Sequence, residues 1–169
     1  KDKKEKDPKN IKVNLFPYQK LGYNWLKNMY DIGFGAILAD DMGLGKTLQT
    51  IAVINEIYYE KKDFLGLIVV PTSLLHNWKE EFSKFCNIKP ILVEGTSKKR
   101  RDLISKFKKG LFITTYQSLR NDVEEYKDKK FDIMVLDEAQ NIKTSTSQIK
   151  KAVLKLNSKV NFALTGTPV

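Results

Sequence analysis

Short, continuous apolar runs that alternate with amphipathic segments are the feature that most limits the fold of this chain. The runs occupy residues 36–39, 67–70, 91–93, 111–114, 133–136 and 161–164. Such runs lack the polar-apolar alternation of a half-exposed strand, so they predict strands buried on both faces. Strands that alternate with helices build a parallel sheet covered by helices. We therefore predict an α/β fold, a three-layer sandwich around a mainly parallel central sheet.

The segments between the runs have helical spacing. Apolar residues recur from Tyr18 to Met29, after a proline that suits the first turn of a helix. Residues 74–85 and 147–156 are amphipathic in the same way. Within 74–85, Trp78 is spaced with Phe82 and is interpreted as a core residue.

Polar or glycine-containing clusters follow five of the predicted strands directly. They occupy residues 40–47, 71–73, 115–117, 137–140 and 165–168. In open α/β sheets, ligands bind at the carboxyl ends of the strands. We therefore expect the five clusters to form one site.

Length and composition restrict the class of protein. The 169 residues suit one domain, here predicted over 11–169, with residues 1–10 as a flexible lead-in or linker. No apolar run approaches the roughly 20 residues that cross a bilayer, so no membrane partner is expected. A single cysteine, Cys86, excludes a disulfide framework and fits a reducing, cytoplasmic setting. The net charge of +10 favours polyanions, although a solvated lysine-rich surface has the same composition.

The first cluster matches the phosphate-binding pattern G-x-x-x-x-G-K-[ST], except that Asp40 stands at its first position. Gly43 and Gly45 allow the backbone to turn its N–H groups toward phosphate oxygens. Lys46 is expected to reach the β- and γ-phosphates, and Thr47 to bind Mg²⁺. The alternative is a glycine turn that begins a helix whose lysine is solvated.

The fourth cluster contributes an acidic pair after an apolar strand. A strand-end aspartate that faces a phosphate loop, here Asp137, is placed to hold Mg²⁺. Glu138 is a candidate to orient and deprotonate the attacking water, and Gln140 to contact the γ-phosphate or to couple it to other loops. The alternative is an exposed acidic loop that caps the next helix. With the phosphate loop, the pair predicts ATP and Mg²⁺ as cofactors.

Together these motifs resemble the Swi/Snf-type ATPases of helicase superfamily two. The resemblance lies in DDMGLGKT at 40–47, VVPTSLLHNW at 69–78, ITTY at 113–116, DEAQ at 137–140 and LTGTP at 164–168. LFPYQ at 15–19 resembles the adenine-side motif of that family, with Phe16 where arginine is more usual. Asp40 is the family's usual residue at its position. The resemblance implies a RecA-like lobe that binds ATP.

The resemblance also implies roles for individual residues. Nucleotide contacts are implied for Gln19, Asp41, Met42, Gly43, Leu44, Gly45, Lys46 and Thr47, and catalytic roles for Lys46, Asp137, Glu138 and Gln140. Contacts with the DNA backbone are implied for Pro71, Thr72, Ser73, Thr114, Thr115 and Tyr116. Thr165, Gly166 and Thr167 are implied to couple the nucleotide state to DNA. From the residues alone, Ser73 is expected to begin a helix and to offer its hydroxyl to a phosphate, although Ser and Thr here also suit simple capping.

The function expected from this resemblance is that of the N-terminal, ATP-binding lobe of a double-stranded DNA translocase. Its expected partners are double-stranded DNA, bound without sequence preference, and a second RecA-like lobe of the full-length chain. This lobe alone is expected to hydrolyse ATP negligibly. The alternatives are an RNA helicase lobe of the same superfamily and a non-catalytic nucleotide-binding scaffold. The expected location is cytoplasmic, nucleoid-associated in a bacterium and nuclear in a eukaryote.

The densest basic stretch lies outside these motifs. Residues 98–101 are Lys-Lys-Arg-Arg, and Lys106, Lys108 and Lys109 follow them. We interpret the stretch as a solvated helix face, with DNA contact as the alternative.

Overall fold

A computed structural model describes residues 5–39, 45–144 and 147–166. Its main sheet has six strands: β1 (Ala36–Ala39), β2 (Leu65–Val70), β3 (Ile91–Leu92), β4 (Gly110–Thr115), β6 (Ile133–Leu136) and β8 (Asn161–Thr165). Two further strands, β5 (Lys130–Phe131) and β7 (Asn157–Ser158), pair with each other. The order in the main sheet is β1-β8-β6-β2-β4-β3, and every pair is parallel. The predicted parallel sheet is confirmed.

Seven α-helices lie in the described residues: α1 (Pro17–Asp31), which precedes β1, and α2 (Lys46–Glu60), α3 (Leu75–Phe85), α4 (Ser97–Lys106), α5 (Tyr116–Asp122), α6 (Gln140–Thr144) and α7 (Ser147–Lys155), which lie between strands. Two 3₁₀ turns occupy Thr72–Leu74 and Val123–Tyr126. In these described parts of the chain, no helix is both long and apolar enough to span a membrane.

Two apolar clusters cover the two faces of the sheet. Ile68 and Val70 of β2 pack in the cluster that contains residues of α1, α2 and α3. Leu67 and Val69, the alternate residues of the same strand, pack in the cluster that contains residues of α4, α5 and α7. Successive side chains of a strand point to opposite faces. Both faces are therefore buried, and the three-layer sandwich is confirmed.

The structure differs from the sequence-based prediction at several boundaries. The segment at 91–93 pairs over only two residues, and β5 and β7 are too short and polar to stand out as apolar runs. Ser73 does not begin an α-helix. The N–H of Leu74 donates to the carbonyl of Pro71 at 2.9 Å, so one 3₁₀ turn precedes α3 and contains Ser73.

The N-terminal segment has no helix or strand over residues 5–16, yet side chains of α1 and α2 hold its backbone. The side-chain amide of Asn24 donates to the carbonyl of Lys6 at 2.9 Å, and its oxygen accepts from the backbone N–H of Lys6 at 3.0 Å. The buried Asn55 amide donates to the carbonyls of Lys9 and Asn10 at 3.1 and 3.3 Å. The division of the chain at residue 10 stays a prediction.

Candidate nucleotide-binding site

The carboxyl ends of five strands lie side by side at one edge of the main sheet. The register pairs Ala39 at the end of β1 with Thr165 at the end of β8, and Val70 of β2 with Thr115 of β4. Strand β6, which precedes the acidic pair, lies between β8 and β2. The described parts of the five polar clusters therefore meet at this edge, as the sequence predicted.

The described part of the phosphate loop begins at Gly45. Residues 40–44 lie outside the described residues, so the predictions for Asp40, Asp41, Met42, Gly43 and Leu44 stay predictions. Gly45 has a φ of +88° and precedes the first residue of α2. A Cβ there would also lie 3.1 Å from Cγ of Gln19, so both backbone conformation and space favour glycine.

Lys46 and Thr47 occupy the first turn of α2, where backbone N–H groups have no partner within the helix. The Lys46 ammonium donates to the carbonyl of Thr165 at 2.9 Å. Lys46 is thus held against the segment predicted to couple nucleotide and DNA. The positive end of α2 and this ammonium together favour an anion.

Gln19 lies beside Gly45 and is buried. Its Oε1 accepts from the N–H of Phe16 at 2.9 Å, which caps the start of α1. The side chain of Gln49, in α2, approaches both Gly45 and Gly22, at distances that leave little room for a Cβ on either glycine. The sequence did not predict that Gln49 lies beside this loop, because nothing in the local pattern distinguishes it from other polar helix residues.

Asp137 follows β6 and receives hydrogen bonds from three donors. The indole N–H of Trp78 donates to Oδ2 at 2.7 Å, and the N–H of Glu138 donates to Oδ1 at 2.9 Å. The phenol of Tyr116 donates to the carbonyl oxygen of Asp137 at 2.7 Å. Burial raises the pKa of Asp137 above its ordinary value, while the hydrogen bonds from Trp78 and Glu138 and the charge of Lys46 oppose that shift.

Glu138 has a φ of +50°, a conformation that non-glycine residues seldom adopt. Its Oε2 accepts from the amide of Gln140 at 2.5 Å. The N–H of Gly166 approaches Oε1 of Gln140 at 3.4 Å. Glu138, Gln140 and Gly166 thus form one connected group between the loops after β6 and β8. Thr167 lies outside the described residues.

The six residues predicted to contact DNA divide into two groups. Thr72 and Ser73 are exposed at the sheet edge, and Pro71 is half-buried. Thr114, Thr115 and Tyr116 are instead buried. The Thr115 hydroxyl accepts from the N–H of Ser118 at 3.1 Å and caps α5, and the phenol of Tyr116 bonds Asp137. Direct DNA contacts stay a prediction for all six residues.

The basic stretch at 98–101 is not a uniformly solvated helix face, because Arg100 is buried. Its Nε and Nη2 donate to the two carboxylate oxygens of Asp122 at 2.7 and 3.0 Å. The remaining cations of the stretch are exposed, as expected.

The side chains at this edge fit a magnesium nucleotide. In residues 5–39, 45–144 and 147–166, no group of three or more His, Cys, Asp or Glu side chains could hold a metal ion. Mg²⁺ is commonly held by one or two carboxylates together with substrate phosphates and water. Asp137 offers one such carboxylate and Lys46 lies near it, whereas the Mg²⁺ roles of Asp137 and Thr47 and the phosphate role of Lys46 stay predictions.

The main sheet is parallel, a lysine lies in the first turn of the helix after β1, and an Asp-Glu pair follows β6. Together these features define a RecA-like ATP-binding fold. Residues 18–169 match the family of the SNF2-related domain. The chain belongs to this family, which confirms the Swi/Snf-type resemblance.

Relatives and solved structures agree with this assignment. The chain is 42% identical, over 158 residues, to an uncharacterized ATP-dependent helicase of Mycoplasma genitalium, a match that covers 92% of this chain and 15% of that protein. It is 41% identical over 177 residues to the chromatin-remodeling ATPase INO80 of Lodderomyces elongisporus, covering 96% of this chain and 11% of that protein. The SWI2/SNF2 ATPase core of Sulfolobus solfataricus in complex with dsDNA superimposes with a TM-score of 0.85 at 44% identity, covering 98% of this chain and 34% of that one. The chain thus spans a small part of the length of these relatives.

Proposed function

We propose that this chain is the ATP-binding lobe of a motor that uses ATP hydrolysis to move along double-stranded DNA. The observation that carries the proposal is the meeting of Lys46, Asp137 and Glu138 at one sheet edge, with Lys46 close enough to act on the pKa of Asp137. Membership of the SNF2-related family and the likeness to an ATPase core solved with dsDNA support it.

Each side chain has a distinct role toward Mg·ATP in this proposal. Lys46 leaves the carbonyl of Thr165 and donates to the β- and γ-phosphates, and Gln19 contacts the adenine side. Asp137 and Thr47 hold Mg²⁺, which when bound neutralises charge on the phosphates. Glu138 orients the attacking water and accepts its proton. Gln140 links Glu138 to Gly166, so the loop after β8 responds to the state of the site.

Duplex DNA and a second lobe complete the proposed motor. Thr72 and Ser73 offer hydroxyls to phosphates rather than to base edges, so binding is independent of sequence. The chain matches 34% of the archaeal ATPase core, which leaves room in such a core for a second lobe. A cation from that lobe, facing the γ-phosphate, supplies transition-state stabilisation that this lobe alone does not.

Nucleotide binding is tested by isothermal calorimetry with Mg²⁺ and a non-hydrolysable ATP analogue. The substitution Lys46→Ala removes the charge-assisted phosphate contact and is expected to weaken binding at least about tenfold, or about 1.4 kcal/mol. Lys62→Ala is the matched control, since Lys62 is equally charged, exposed and beyond the far end of α2. Equal affinities for the two variants would refute the assignment of the phosphate site.

A further inference from the structure

Two of the donors to Asp137 come from helices outside the loop of the acidic pair. Trp78 belongs to α3 and lies 59 residues before Asp137 in the sequence, and Tyr116 is the first residue of α5. One donates to the carboxylate and the other to the main-chain carbonyl. Both the side chain and the backbone of Asp137 are therefore held from neighbouring elements.

Loss of either hydrogen bond is costly because both donors are buried. Trp78 is 2% exposed and Tyr116 9% exposed, so water does not readily replace a lost partner at either donor. A carboxylate has about four acceptor positions. Oδ1 and Oδ2 each accept one N–H, so each retains capacity for a metal ion or its bound water.

The helices that carry these donors begin next to the segments predicted to contact DNA. Helix α3 follows the 3₁₀ turn Thr72–Leu74, and α5 follows Thr115 directly. A shift of either segment is therefore expected to move a donor of Asp137, because Trp78 lies in the first turn of α3 and Tyr116 is the first residue of α5.

We propose that Trp78 and Tyr116 are positioning residues for Asp137, and that they connect its metal-binding carboxylate to the two DNA-side segments. The inference rests on the proposed function, in which Asp137 holds Mg²⁺. Trp78 fixes the rotation of the carboxylate, and Tyr116 fixes the main chain from which it projects. Loss of either donor leaves Asp137 in place but less well oriented for the metal.

The first test separates metal binding from nucleotide binding. Trp78→Phe keeps an aromatic ring in the core and removes the N–H. Hydrogen-bond partners of metal ligands typically contribute about 10–100-fold to metal affinity. We therefore expect Trp78→Phe to weaken binding of the ATP analogue about tenfold with Mg²⁺ and to leave metal-free binding unchanged. Tyr116→Phe is expected to shift the Mg²⁺ dependence in the same direction.

The matched control is Phe82→Leu. Phe82 lies one turn further along α3, is fully buried and packs 6.3 Å from the Trp78 ring between centroids, but has no hydrogen bond to lose. It is expected to lower stability with no change in Mg²⁺ dependence. A Trp78→Phe variant with wild-type Mg²⁺ dependence, or a Phe82→Leu variant that shifts it equally, would overturn the inference. A wild-type chain that binds no Mg-nucleotide would overturn the proposed function, and the inference with it.

The second test leaves Trp78 unchanged. It therefore tests the positioning role even if the Trp78→Phe variant does not fold. Trp25 is 48% exposed on α1, and Trp25→Phe leaves Trp78 as the only indole. In ¹H–¹⁵N spectra, Mg²⁺ with the analogue is expected to shift both the Gly45 amide and the Trp78 indole N–H. If the Gly45 amide resonance shifts but the Trp78 indole resonance does not, the positioning role is refuted. If the Gly45 amide resonance does not shift, nucleotide binding is refuted.

Duplex DNA is then added to the same sample. The indole N–H is expected to move together with the amides of Ser73 and Thr115. If the amide resonances of Ser73 and Thr115 shift but the indole resonance does not, the connection between the DNA-side segments and Asp137 is refuted. If none of the three moves, the proposed DNA contact is wrong and the connection fails with it.

Discussion

The substitution Arg100→Met is expected to destabilise the fold more than any other neutralisation in the basic stretch. Arg100 donates to both carboxylate oxygens of Asp122, to the carbonyl of Gly95 at 2.8 Å and to the Ser97 hydroxyl at 3.3 Å. Asp122 is 4% exposed, so its carboxyl group loses its partner in the core when the guanidinium is removed. The hydrogen bonds to Asp122 are also the largest cause of the raised pKa of Arg100.

Removal of one partner from a buried ion pair costs roughly 3–5 kcal/mol, because the other charge remains without compensation. Domains have a total stability of about 5–15 kcal/mol. For a domain of this size each kcal/mol corresponds to about 2–4 °C, so we expect the melting temperature to fall by about 6–20 °C.

Thermal and urea unfolding followed by circular dichroism measure this cost. Arg101→Met is the matched control, since Arg101 is next in sequence, half-exposed and 4.0 Å from Glu125, a distance at which a surface pair contributes about 1 kcal/mol or less. The double substitution Arg100→Met with Asp122→Leu removes both charges and is expected to recover much of the loss. Equal destabilisation by Arg100→Met and Arg101→Met would refute the reasoning.

Three further predictions concern the proposed site. Because burial raises the folded pKa of Asp137 above its ordinary value of 3.8, ionisation of Asp137 opposes folding as pH rises. In urea unfolding, the stability of Asp137→Asn relative to the wild type is therefore expected to increase between about pH 3 and about pH 7, on top of a pH-independent cost from the hydrogen bond that the amide group cannot accept; a difference that does not vary with pH would contradict this. In a protein that carries both lobes, Glu138→Gln is expected to bind ATP but not hydrolyse it, and normal steady-state turnover would place the base elsewhere. Duplex DNA binding by this chain is expected to be micromolar or weaker by fluorescence anisotropy and to weaken further with salt; affinity independent of salt would exclude phosphate contacts as its source.

Local patterns in the sequence were sufficient to predict the central architecture. Strands buried on both faces consist of continuous apolar runs, and the run at 133–136 coincides with β6. The run at 36–39 coincides with β1, but the predicted burial is wrong there, because β1 is an edge strand and Ile37 is 64% exposed. Lys46 and the Asp137–Glu138 pair could be assigned to one edge because the carboxyl ends of parallel strands lie together. These features depend on residues close in sequence, together with one general rule of sheet topology.

Other features were decided only by contacts between distant parts of the chain. Arg100 has basic neighbours in the sequence and was expected in solvent, yet its partner Asp122 lies 22 residues away and brings it into the core. Trp78 was correctly predicted to be buried, but its polar atom faces Asp137, 59 residues further on. The hydroxyls of Thr115 and Tyr116 are likewise used within the fold. Apolar spacing predicts which face of a helix is buried, whereas the partner of a buried N–H or guanidinium depends on how the helices are placed around the sheet.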